Sequence, residues 1–410
     1  MAELPNHLVR RQSLGSILRT LHRRGPLSRA ELAIEVGLSN AAVSRSVAVL
    51  QKLRLIQELA PKQQGAVGRR RIPIWFDTKH YQVLGVHVGV LRTTLGLVTL
   101  RGEVVARRVI DRSQSEPAAV LSELKWHASE LIKQSEGGCL VGIGIALHGQ
   151  QSGARTLIPA SLSHEEANEI LAQHFQPGFY TVDTIPAAVA LGESWFGCES
   201  VPDSLAYLYV AAISGVGLLL EGRPHRGSGR GAGSVEHLQI PEPIGASCYC
   251  GRAACFSANV GNLEIIAASV RATGNTQITT IRDVVIAART SPKISALLRS
   301  RARNILYAAD VVQELLDPGL MILGGDAVLL GEDYIVEACA ERARSDQNMN
   351  WKQPKLAALR QDEIILGPAT LAITRVFDDP INSAGGSMLF KNKQVGDCGA
   401  DPSFDCDAFS

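Results

Sequence analysis

Four side chains that can bind a metal lie close together in the second half of the chain. Cys248, Cys250 and Cys255 fall within eight residues, and His237 precedes them by ten intervening residues. Three thiolates and one imidazole complete a tetrahedral zinc shell and leave no open coordination position for catalysis. The sequence therefore predicts one structural zinc ion per chain.

Two other interpretations of these cysteines stay open. They could be structural residues unrelated to His237, or they could form disulfides. Against disulfides, the other cysteines form no framework and follow no secretory signal; they are Cys139, Cys198, Cys339, Cys398 and Cys406. Gly251 is expected to take the positive-φ turn that folds the loop back on the metal.

Length, composition and charge distribution narrow the class of protein. A chain of 410 residues with 46% hydrophobic residues is long enough for two or three domains with sizeable cores. No apolar run approaches the roughly 18 residues of a membrane span, and the first thirty residues lack a signal-peptide core, so we expect a cytoplasmic protein without membrane insertion.

Residues 1–75 hold 13 Lys and Arg against 4 Asp and Glu, whereas residues 76–410 hold 28 against 36. This asymmetry predicts a nucleic-acid-binding head on a neutral-to-acidic body.

The first 60 residues carry the signals of a helix-turn-helix. Apolar residues with helical spacing predict a first helix that ends at Gly25-Pro26; they are Leu14, Ile17, Leu18 and Leu21. Ser28, with Glu31 three residues later, predicts a capping box, and Ser39 caps a third helix. Val43, Val47 and Leu50 form the buried stripe of that helix. Its outer face is then free to enter a major groove.

The candidate DNA-binding residues follow from this geometry. On the recognition helix, small side chains permit close approach, an amide and a guanidinium address base edges, and hydroxyls reach phosphates. Ser46 is expected on the same outer face. A glycine-hinged basic wing over 61–71 is expected to clamp phosphates or enter the minor groove. The candidates are Ser28, Arg29, Ser39, Asn40, Ala41, Ser44, Arg45, Arg69, Arg70 and Arg71. An ordinary three-helix bundle and a solvated loop are the alternatives.

The rest of the chain predicts a mixed α/β body of two similar halves. The first half reads as a three-strand meander over 83–110, one helix through Val120–Leu131 and a strand over 139–146. In the second half, we expect a strand Leu205–Ile213, a tight loop Ser214–Gly217, a helix Ile305–Leu316 and a glycine turn at Gly324-Gly325. Residues 391–410 have the composition of a disordered tail.

Several of these motifs together resemble the ROK family (repressors, unidentified reading frames and sugar kinases), and specifically its repressor branch, over residues 10–385. They are Ser28–Ala33, Gly37–Ser39 with Val43-Ser44, the basic wing, the His237/Cys248/Cys250/Cys255 set and Pro318–Gly325. The resemblance implies an α/β fold with a winged helix-turn-helix (1–78) before a two-lobed, actin-like ATPase body. The first lobe would span 79–184, completed by about 370–390, and the second lobe 185–369, with the zinc loop and the oligomerisation surface. Homodimers or homotetramers are implied as well.

The chain departs from the kinases of this family at the residues that would do chemistry. Where they carry a phosphate loop, this chain has His87–Leu91, and Ile185 stands at the catalytic aspartate; an isoleucine cannot take a proton. Asp183, two residues away on a presumed strand, is expected to lie too far to replace it. Ser234 and Ser257 stand where sugar-binding glutamates are found. We therefore expect no catalytic residue; the candidate ligand contacts are Asp183, Ser234, Glu236, His237 and Ser257.

These observations predict a DNA-binding transcriptional regulator, and we expect a repressor of carbohydrate-related or other metabolic genes. It would bind a pseudo-palindromic operator as a homo-oligomer and respond to a sugar or sugar-phosphate effector. Two alternatives stay open: an active sugar kinase with a fused DNA-binding head, and a regulator controlled by a sequestering protein partner.

Overall fold

The structure is a computed structural model that describes residues 6–60, 72–111, 116–135, 138–148, 163–176, 178–200, 202–345 and 351–385. The predicted wing over 61–71 and the predicted tail over 391–410 lie outside these residues. The described chain forms a small helical head with a two-stranded sheet, followed by a body built on two five-stranded sheets.

The head contains three helices and a short antiparallel hairpin: α1 (Asn6–Arg24), α2 (Arg29–Val36), α3 (Asn40–Lys52), β1 (Ile56–Glu58) and β2 (Ile74–Phe76). The predicted capping box is present, because Ser28 accepts from the Glu31 N–H while the Glu31 carboxylate accepts from the Ser28 N–H at 2.9 Å. Gly37 ends α2 in the left-handed region at φ 66°, which glycine adopts without steric cost. The helix-turn-helix prediction is confirmed.

The first sheet of the body has the order β5-β4-β3-β6-β7. Its elements are β3 (Tyr81–Val88), β4 (Arg92–Thr99), β5 (Val104–Asp111), α4 (Pro117–Ser122), α5 (Leu124–Gln134), β6 (Cys139–Leu147), α6 (His164–His174) and β7 (Tyr180–Thr184). β3, β4 and β5 form the predicted antiparallel meander, and β6 and β7 add parallel strands. The single helix expected through Val120–Leu131 is two helices, because the backbone leaves the helical region at Glu123 (φ −89°, ψ 4°).

The second sheet has the order β10-β9-β8-β11-β12. Residues 185–356 contain α7 (Ile185–Gly192), a π-helical turn (Glu193–Gly197), β8 (Ser204–Val210), β9 (Ser214–Leu220), β10 (Arg223–Pro224), α8 (Phe256–Val260), α9 (Asn262–Thr273), α10 (Ile281–Ala288), α11 (Pro292–Leu316), β11 (Leu320–Gly324), α12 (Asp326–Leu330), α13 (Glu332–Ser345) and β12 (Lys355–Leu356). A 3₁₀ turn (Arg360–Asp362), α14 (Glu363–Asp378) and α15 (Pro380–Gly385) complete the described chain.

Two predictions for this half were wrong in detail. The stretch Ser214–Gly217 is not a loop but the first half of β9, paired with β8 from Val210 back to Tyr207. Glycines at 215 and 217 look like a turn in the sequence, yet they are needed in the strand because Pro186 of α7 packs against them; a Cβ on Gly217 would lie 1.9 Å from the Pro186 carbonyl oxygen. The helix expected from Ile305 begins earlier, at Pro292, after the Ser291 cap.

Helices α7 and α14 cross at a pair of glycines. A Cβ on Gly192 of α7 would lie 2.7 Å from the Cα of Gly367 in α14, so the two backbones approach as closely as glycine allows. α14 also packs on β3 and β6, while α7 packs on β8 and β9. The crossing therefore joins the two halves of the body.

The head does not have a core of its own. Buried side chains of the head, such as Leu18 and Phe76, belong to one continuous cluster with Val83 of β3 and Phe377 of α14. The rings of Phe76 and Phe377 stack with centroids 5.6 Å apart, and Arg19 forms an ion pair with Asp378. Head and body share this core because α1 of the head packs directly on α14 of the body.

No helix in the described part of the chain is long and apolar enough to cross a membrane alone. The pair α2 and α3 reaches the length and hydropathy of a span only together, across a bend of 111°.

Candidate functional site

The carboxyl ends of three parallel strands in the first sheet meet at one edge. His87 of β3 is in register with Ala146 of β6, which is in register with Asp183 of β7. Residues in register on neighbouring strands present their side chains to the same face. Ligands of open α/β sheets bind at such edges, so His87 and Asp183 lie where a ligand site is expected.

Asp183 is completely buried and is held by two arginines from the segment that follows β10. The Arg226 Nε donates to Asp183 Oδ2 at 2.8 Å, and a second Arg226 nitrogen donates to the same oxygen. The nearest guanidinium nitrogen of Arg230 lies 3.6 Å from the other oxygen, Oδ1. These contacts join the carboxyl edge of the first sheet to a segment of the second half of the body.

Two histidines of the first half also face this segment. His148, directly after β6, has its Nε2 3.9 Å from Glu236 Oε1. His164, at the start of α6, has its Nδ1 3.4 Å from the Arg230 guanidinium. Burial lowers the pKa of both imidazoles, and for His164 the charge of Arg230 lowers it further. Both rings are therefore neutral at physiological pH, and His164 Nδ1 can accept from Arg230.

The predicted metal ligands come together. The ligand atoms of His237, Cys248, Cys250 and Cys255 all lie within 4.8 Å of one another. Cys248 Sγ is 3.4 Å from His237 Nδ1, and Cys250 Sγ is 3.4 Å from Cys255 Sγ. In a tetrahedral zinc site, bonds of about 2.3 Å to sulfur and 2.0–2.1 Å to nitrogen give ligand-to-ligand edges of about 3.5–3.8 Å. The donor set fits a zinc ion.

The surroundings orient this donor set. The His237 Nε2 is 2.9 Å from the Tyr249 hydroxyl, which leaves Nδ1 as the nitrogen that could bind a metal. Tyr249 in turn donates to Glu236 at 3.3 Å. Buried Asn259 donates to the main-chain oxygens of Ala253 and Cys255, and Gly251 turns the loop at φ 87°, as predicted. We call the segment 237–255 the metal loop, and the region where Asp183 and His148 of the first half face the segment 226–236 the cleft. Glu236 belongs to both, because it contacts His148 on one side and Tyr249 on the other.

Most, but not all, of the predicted ligand contacts are connected to this cleft. Asp183, Glu236 and His237 belong to the connected set just described, and the Ser257 N–H donates to the Glu236 carbonyl oxygen. Ser234 is exposed on the same segment. The sequence analysis missed four residues that the structure adds: His148, His164, Arg226 and Arg230. The sequence did offer a signal for Arg226 and Arg230, because both lie in a glycine-rich run shortly before His237, a predicted metal ligand.

The distance argument for Asp183 assumed that Ile185 lies on the same strand, but it does not. Thr184 caps α7 by accepting from the Ala187 N–H at 3.3 Å, and Ile185 is the first residue of that helix, almost completely buried. Since β7 ends at Thr184, the strand spacing used for the pair does not apply. The carboxylate of Asp183 instead accepts hydrogen bonds from Arg226 and from the Thr184 N–H.

The glycine turn after β11 is occupied by a side chain of this protein. The Gly325 N–H donates to Glu363 Oε1 at 3.0 Å, and the Tyr207 hydroxyl donates to the other Glu363 oxygen. Burial raises the pKa of Glu363 to about 8. The Gly325 amide is therefore already paired.

The predicted DNA-binding face of α3 is accessible. Asn40, Ala41, Ser44 and Arg45 are exposed, and Ser39 caps the helix through the Ala42 N–H at 3.2 Å. Ser46 is buried and was wrongly assigned to this face.

Two further DNA candidates have partners within the head. Ser28 is buried in its capping box, and Arg29 forms an ion pair with Glu58 at 2.6 Å. Arg69, Arg70 and Arg71 lie outside the described residues, and their role stays a prediction.

Comparison with known families decides the classification. The sequence profile of the ROK family matches residues 83–375, and that of a winged helix-turn-helix DNA-binding domain matches residues 10–57. The chain belongs to the ROK family. Within it, the chain is 27% identical over 267 residues to the DNA-binding transcriptional dual regulator NagC of Escherichia coli K12, covering 63% of this chain and 64% of NagC. It is 26% identical over 247 residues to the xylose repressor of Bacillus subtilis, covering 58% of this chain and 63% of the repressor.

The chain therefore spans a little under two thirds of these ROK relatives. A solved ROK family transcriptional regulator, described as a homologue of the E. coli MLC protein, superposes with a TM-score of 0.70 at 20% identity, over 90% of this chain and 97% of that one. This likeness shows that head and body together have the same fold as that protein.

Proposed function

We propose that this ROK protein is a DNA-binding transcriptional regulator, most simply a repressor, whose body senses a ligand and transfers no phosphate. The observation that carries the proposal is the recognition helix α3, whose polar face is exposed on a winged helix-turn-helix fused to a ROK body. Asn40 and Arg45 carry the amide and guanidinium that read adenine and guanine edges. The relatives named as a dual regulator and a xylose repressor support control of carbohydrate-related genes.

The operator is pseudo-palindromic and is bound by a dimer or larger assembly. Helix-turn-helix proteins read two half-sites about one helical turn apart because the symmetry of the dimer is mirrored in the DNA. Arg29 and the basic wing contact phosphates, and the buried Ser28 contributes by capping α2 so that its N-terminus is fixed.

The body is not a kinase. Ile185 has no proton acceptor, the neighbouring Asp183 is bound by Arg226, and the Gly325 amide is bound by Glu363. A general base must reach the substrate hydroxyl with a free acceptor. The identity of Ile185 and these two contacts therefore support a body that has kept the ROK fold for binding and lost the parts that carry phosphoryl transfer.

Zinc in this protein is structural, one ion per chain, held by His237, Cys248, Cys250 and Cys255. Support comes from the donor types, from two ligand separations of 3.4 Å that are close to a tetrahedral edge, and from the grouping of all four ligand atoms within 4.8 Å. When bound, the ion would fix the loop that carries Glu236 and Ser257 against the cleft.

The proposed function is tested by selecting DNA from a random pool with the purified full-length protein. We expect enrichment of an inverted-repeat sequence. Arg45→Ala should lose about 1–3 kcal/mol of discrimination at one base pair of each half-site, whereas Lys52→Ala, at the other end of α3, should keep the sequence preference. If no sequence is enriched, the protein is not a sequence-specific regulator; if Arg45→Ala selects the same sequence, Arg45 does not read a base.

A further inference from the structure

One of the four proposed zinc ligands is open to solvent. Cys250 is exposed, whereas Cys248 and Cys255 are buried, with 7% and 0% of their surface accessible. The turn that follows Cys250 leaves open space on its side of the metal loop, because a Cβ added to Gly251 would meet no atom beyond its chain neighbours within 4 Å. Buried structural cysteines are inert, but exposed thiolates react. A small oxidant therefore reaches the Cys250 sulfur before the other two.

A second thiol lies next to the exposed one. Cys250 Sγ and Cys255 Sγ are 3.4 Å apart, so a disulfide bond of about 2.05 Å needs the two sulfurs to approach by only roughly 1.4 Å. The Cys248 sulfur, by contrast, lies 3.4 Å from His237 Nδ1. Cys255 is held in place, because Gln239 Nε2 donates to its sulfur at 3.4 Å and the two residues form a β-bridge. The geometry favours a pair of Cys250 and Cys255.

A positive charge stands beside the exposed sulfur. The guanidinium of Arg252, itself an exposed residue, interacts with the negative charge of Cys250. Cysteines next to arginine keep their reactive thiolate form. A cation at this position also stabilises the hydroxide that leaves when a thiolate attacks a peroxide, since opposite charges attract over a few ångströms. Exposure, a neighbouring thiol and a neighbouring cation therefore meet at Cys250.

From this arrangement we infer that the metal loop is a site of oxidative modification: a peroxide oxidises Cys250, which then forms a disulfide with Cys255 and releases the zinc ion. In the first step the Cys250 thiolate attacks one peroxide oxygen, the O–O bond breaks, and the other oxygen leaves as hydroxide and takes up a proton to become water. Cys250 is then a sulfenic acid, oxidised by the two electrons that reduce the peroxide. In the second step the Cys255 thiolate attacks the Cys250 sulfur, the S–S bond forms, and the S–O bond breaks to release a second hydroxide, which also becomes water.

The zinc ion loses two of its four ligands in this reaction. Only thiolates bind the metal, so Cys248 and His237 remain as the sole ligands of an incomplete shell. Because metal binding is coupled to local folding, the oxidised metal loop loses order until a thiol reductant and zinc restore it. The inference rests on the proposed zinc site and adds a chemical class of regulator, a peroxide, to it.

The test uses the purified full-length protein with its zinc, hydrogen peroxide and a chromophoric zinc chelator. We expect peroxide to release about one zinc per chain as one disulfide forms, and a thiol reductant with added zinc to restore the starting state. Trypsin cleaves after Arg252, so the disulfide joins peptide 231–252 to peptide 253–271. Further cleavage after Tyr249 shows by mass whether Cys250 or Cys248 is the partner of Cys255.

Two variants separate the exposed thiol from the metal shell. Cys250→His keeps four zinc-binding side chains but removes the thiol, so it should retain its zinc in peroxide. Arg252→Gln keeps all four ligands and should release zinc several-fold more slowly than the wild type, because the cation beside the sulfur is lost. The matched controls are Cys198→Ser, a half-buried thiol outside the loop, and Arg289→Gln, an exposed arginine at the end of α10; both should release zinc like the wild type.

Three results would overturn the inference: zinc retained by the wild type in excess peroxide, zinc release without a disulfide between Cys250 and Cys255, or release from Cys250→His as fast as from the wild type. If Cys250→His binds no zinc, the peptide masses and the rate of Arg252→Gln decide instead. Zinc analysis before peroxide is added distinguishes a failure of the metal site itself, because protein purified without zinc would remove the proposed site and this inference with it. None of these results touches the DNA selection described above.

Discussion

The Nε2 of His22, in α1 of the head, lies 3.1 Å from the main-chain carbonyl oxygen of Trp195, in the π-helical turn of the body. The two rings are also in contact, with centroids 4.5 Å apart, and Trp195 continues to Phe377 at 5.3 Å. The π-helical turn follows α7 without a break, and α7 begins at Ile185, two residues after Asp183. One continuous helical segment therefore connects the carboxyl edge of the first sheet with the head.

This contact predicts a pH dependence of stability. Burial lowers the pKa of His22 to about 4, from an ordinary value of 6.5. The unfolded chain then binds a proton more readily than the folded one between these values, so the His22 contribution to stability is present above about pH 6.5 and is lost as the pH falls toward 4. At one pKa unit per roughly 1.4 kcal/mol, the loss between pH 7.5 and pH 5 is about 2 kcal/mol.

The variant His22→Gln isolates this contribution, because glutamine can still donate to the Trp195 carbonyl but does not titrate. Urea unfolding followed by tryptophan fluorescence at both pH values gives the comparison. Other titrating groups, such as Glu363, act equally on both proteins. If the stability difference between wild type and variant is the same at both pH values, His22 does not titrate in this range.

Ser28 is predicted to act on stability rather than on base recognition. Its hydroxyl is buried and accepts from the N–H of Glu31 in the capping box, so Ser28→Ala should cost about 0.5–2 kcal/mol of stability. Ser28→Asp should retain much of it, because aspartate is also a good N-cap. The sequence preference in DNA selection should not change. A variant that keeps full stability but selects a different sequence would show direct contact with DNA.

Removing one of the four metal ligands is expected to release the zinc ion and to disorder the metal loop at the same time. Elemental analysis of the purified protein should give about one zinc per chain. Cys250→Ala leaves an incomplete shell, and because metal binding is coupled to local folding, it should lower both zinc content and Tm and weaken oligomerisation. Cys198→Ala, which changes a half-buried thiol outside the loop, is the control. Metal-free protein with undiminished stability, assembly and DNA binding would mean that the four ligands form no site.

An aspartate introduced at position 185 is not expected to create kinase activity. Ile185→Asp places a carboxylate at the first residue of α7, but Glu363 still occupies the Gly325 amide and no phosphate loop precedes β4. A coupled assay of sugar-dependent ATP consumption should therefore give no turnover for wild type or variant. Sugar phosphate produced by the purified wild-type protein would refute the proposal of an inactive body; turnover by the variant alone would show that Ile185 was the only obstacle.

The amino-acid sequence by itself determined the features that depend on near neighbours. The capping box of Ser28 and Glu31 and the stripe of Val43, Val47 and Leu50 were predicted and found. The four candidate metal ligands from His237 to Cys255 were also predicted to come together, and they do. Hydrogen bonds at helix ends, helical periodicity and a closed metal shell are fixed by residues only a few positions apart, so a pattern of residue types is enough to predict them.

The tertiary structure decided the features that depend on distant partners. Ser214–Gly217 looks like a turn until Pro186 packs against it, and Arg230 meets Asp183, 47 positions earlier in the chain, only when the two halves of the body close on each other. The head likewise joins the body through His22 and Trp195, 173 positions apart. Such contacts are set by packing between elements and not by local propensity, which is why the connection between the first sheet and the head could be inferred only from the folded chain.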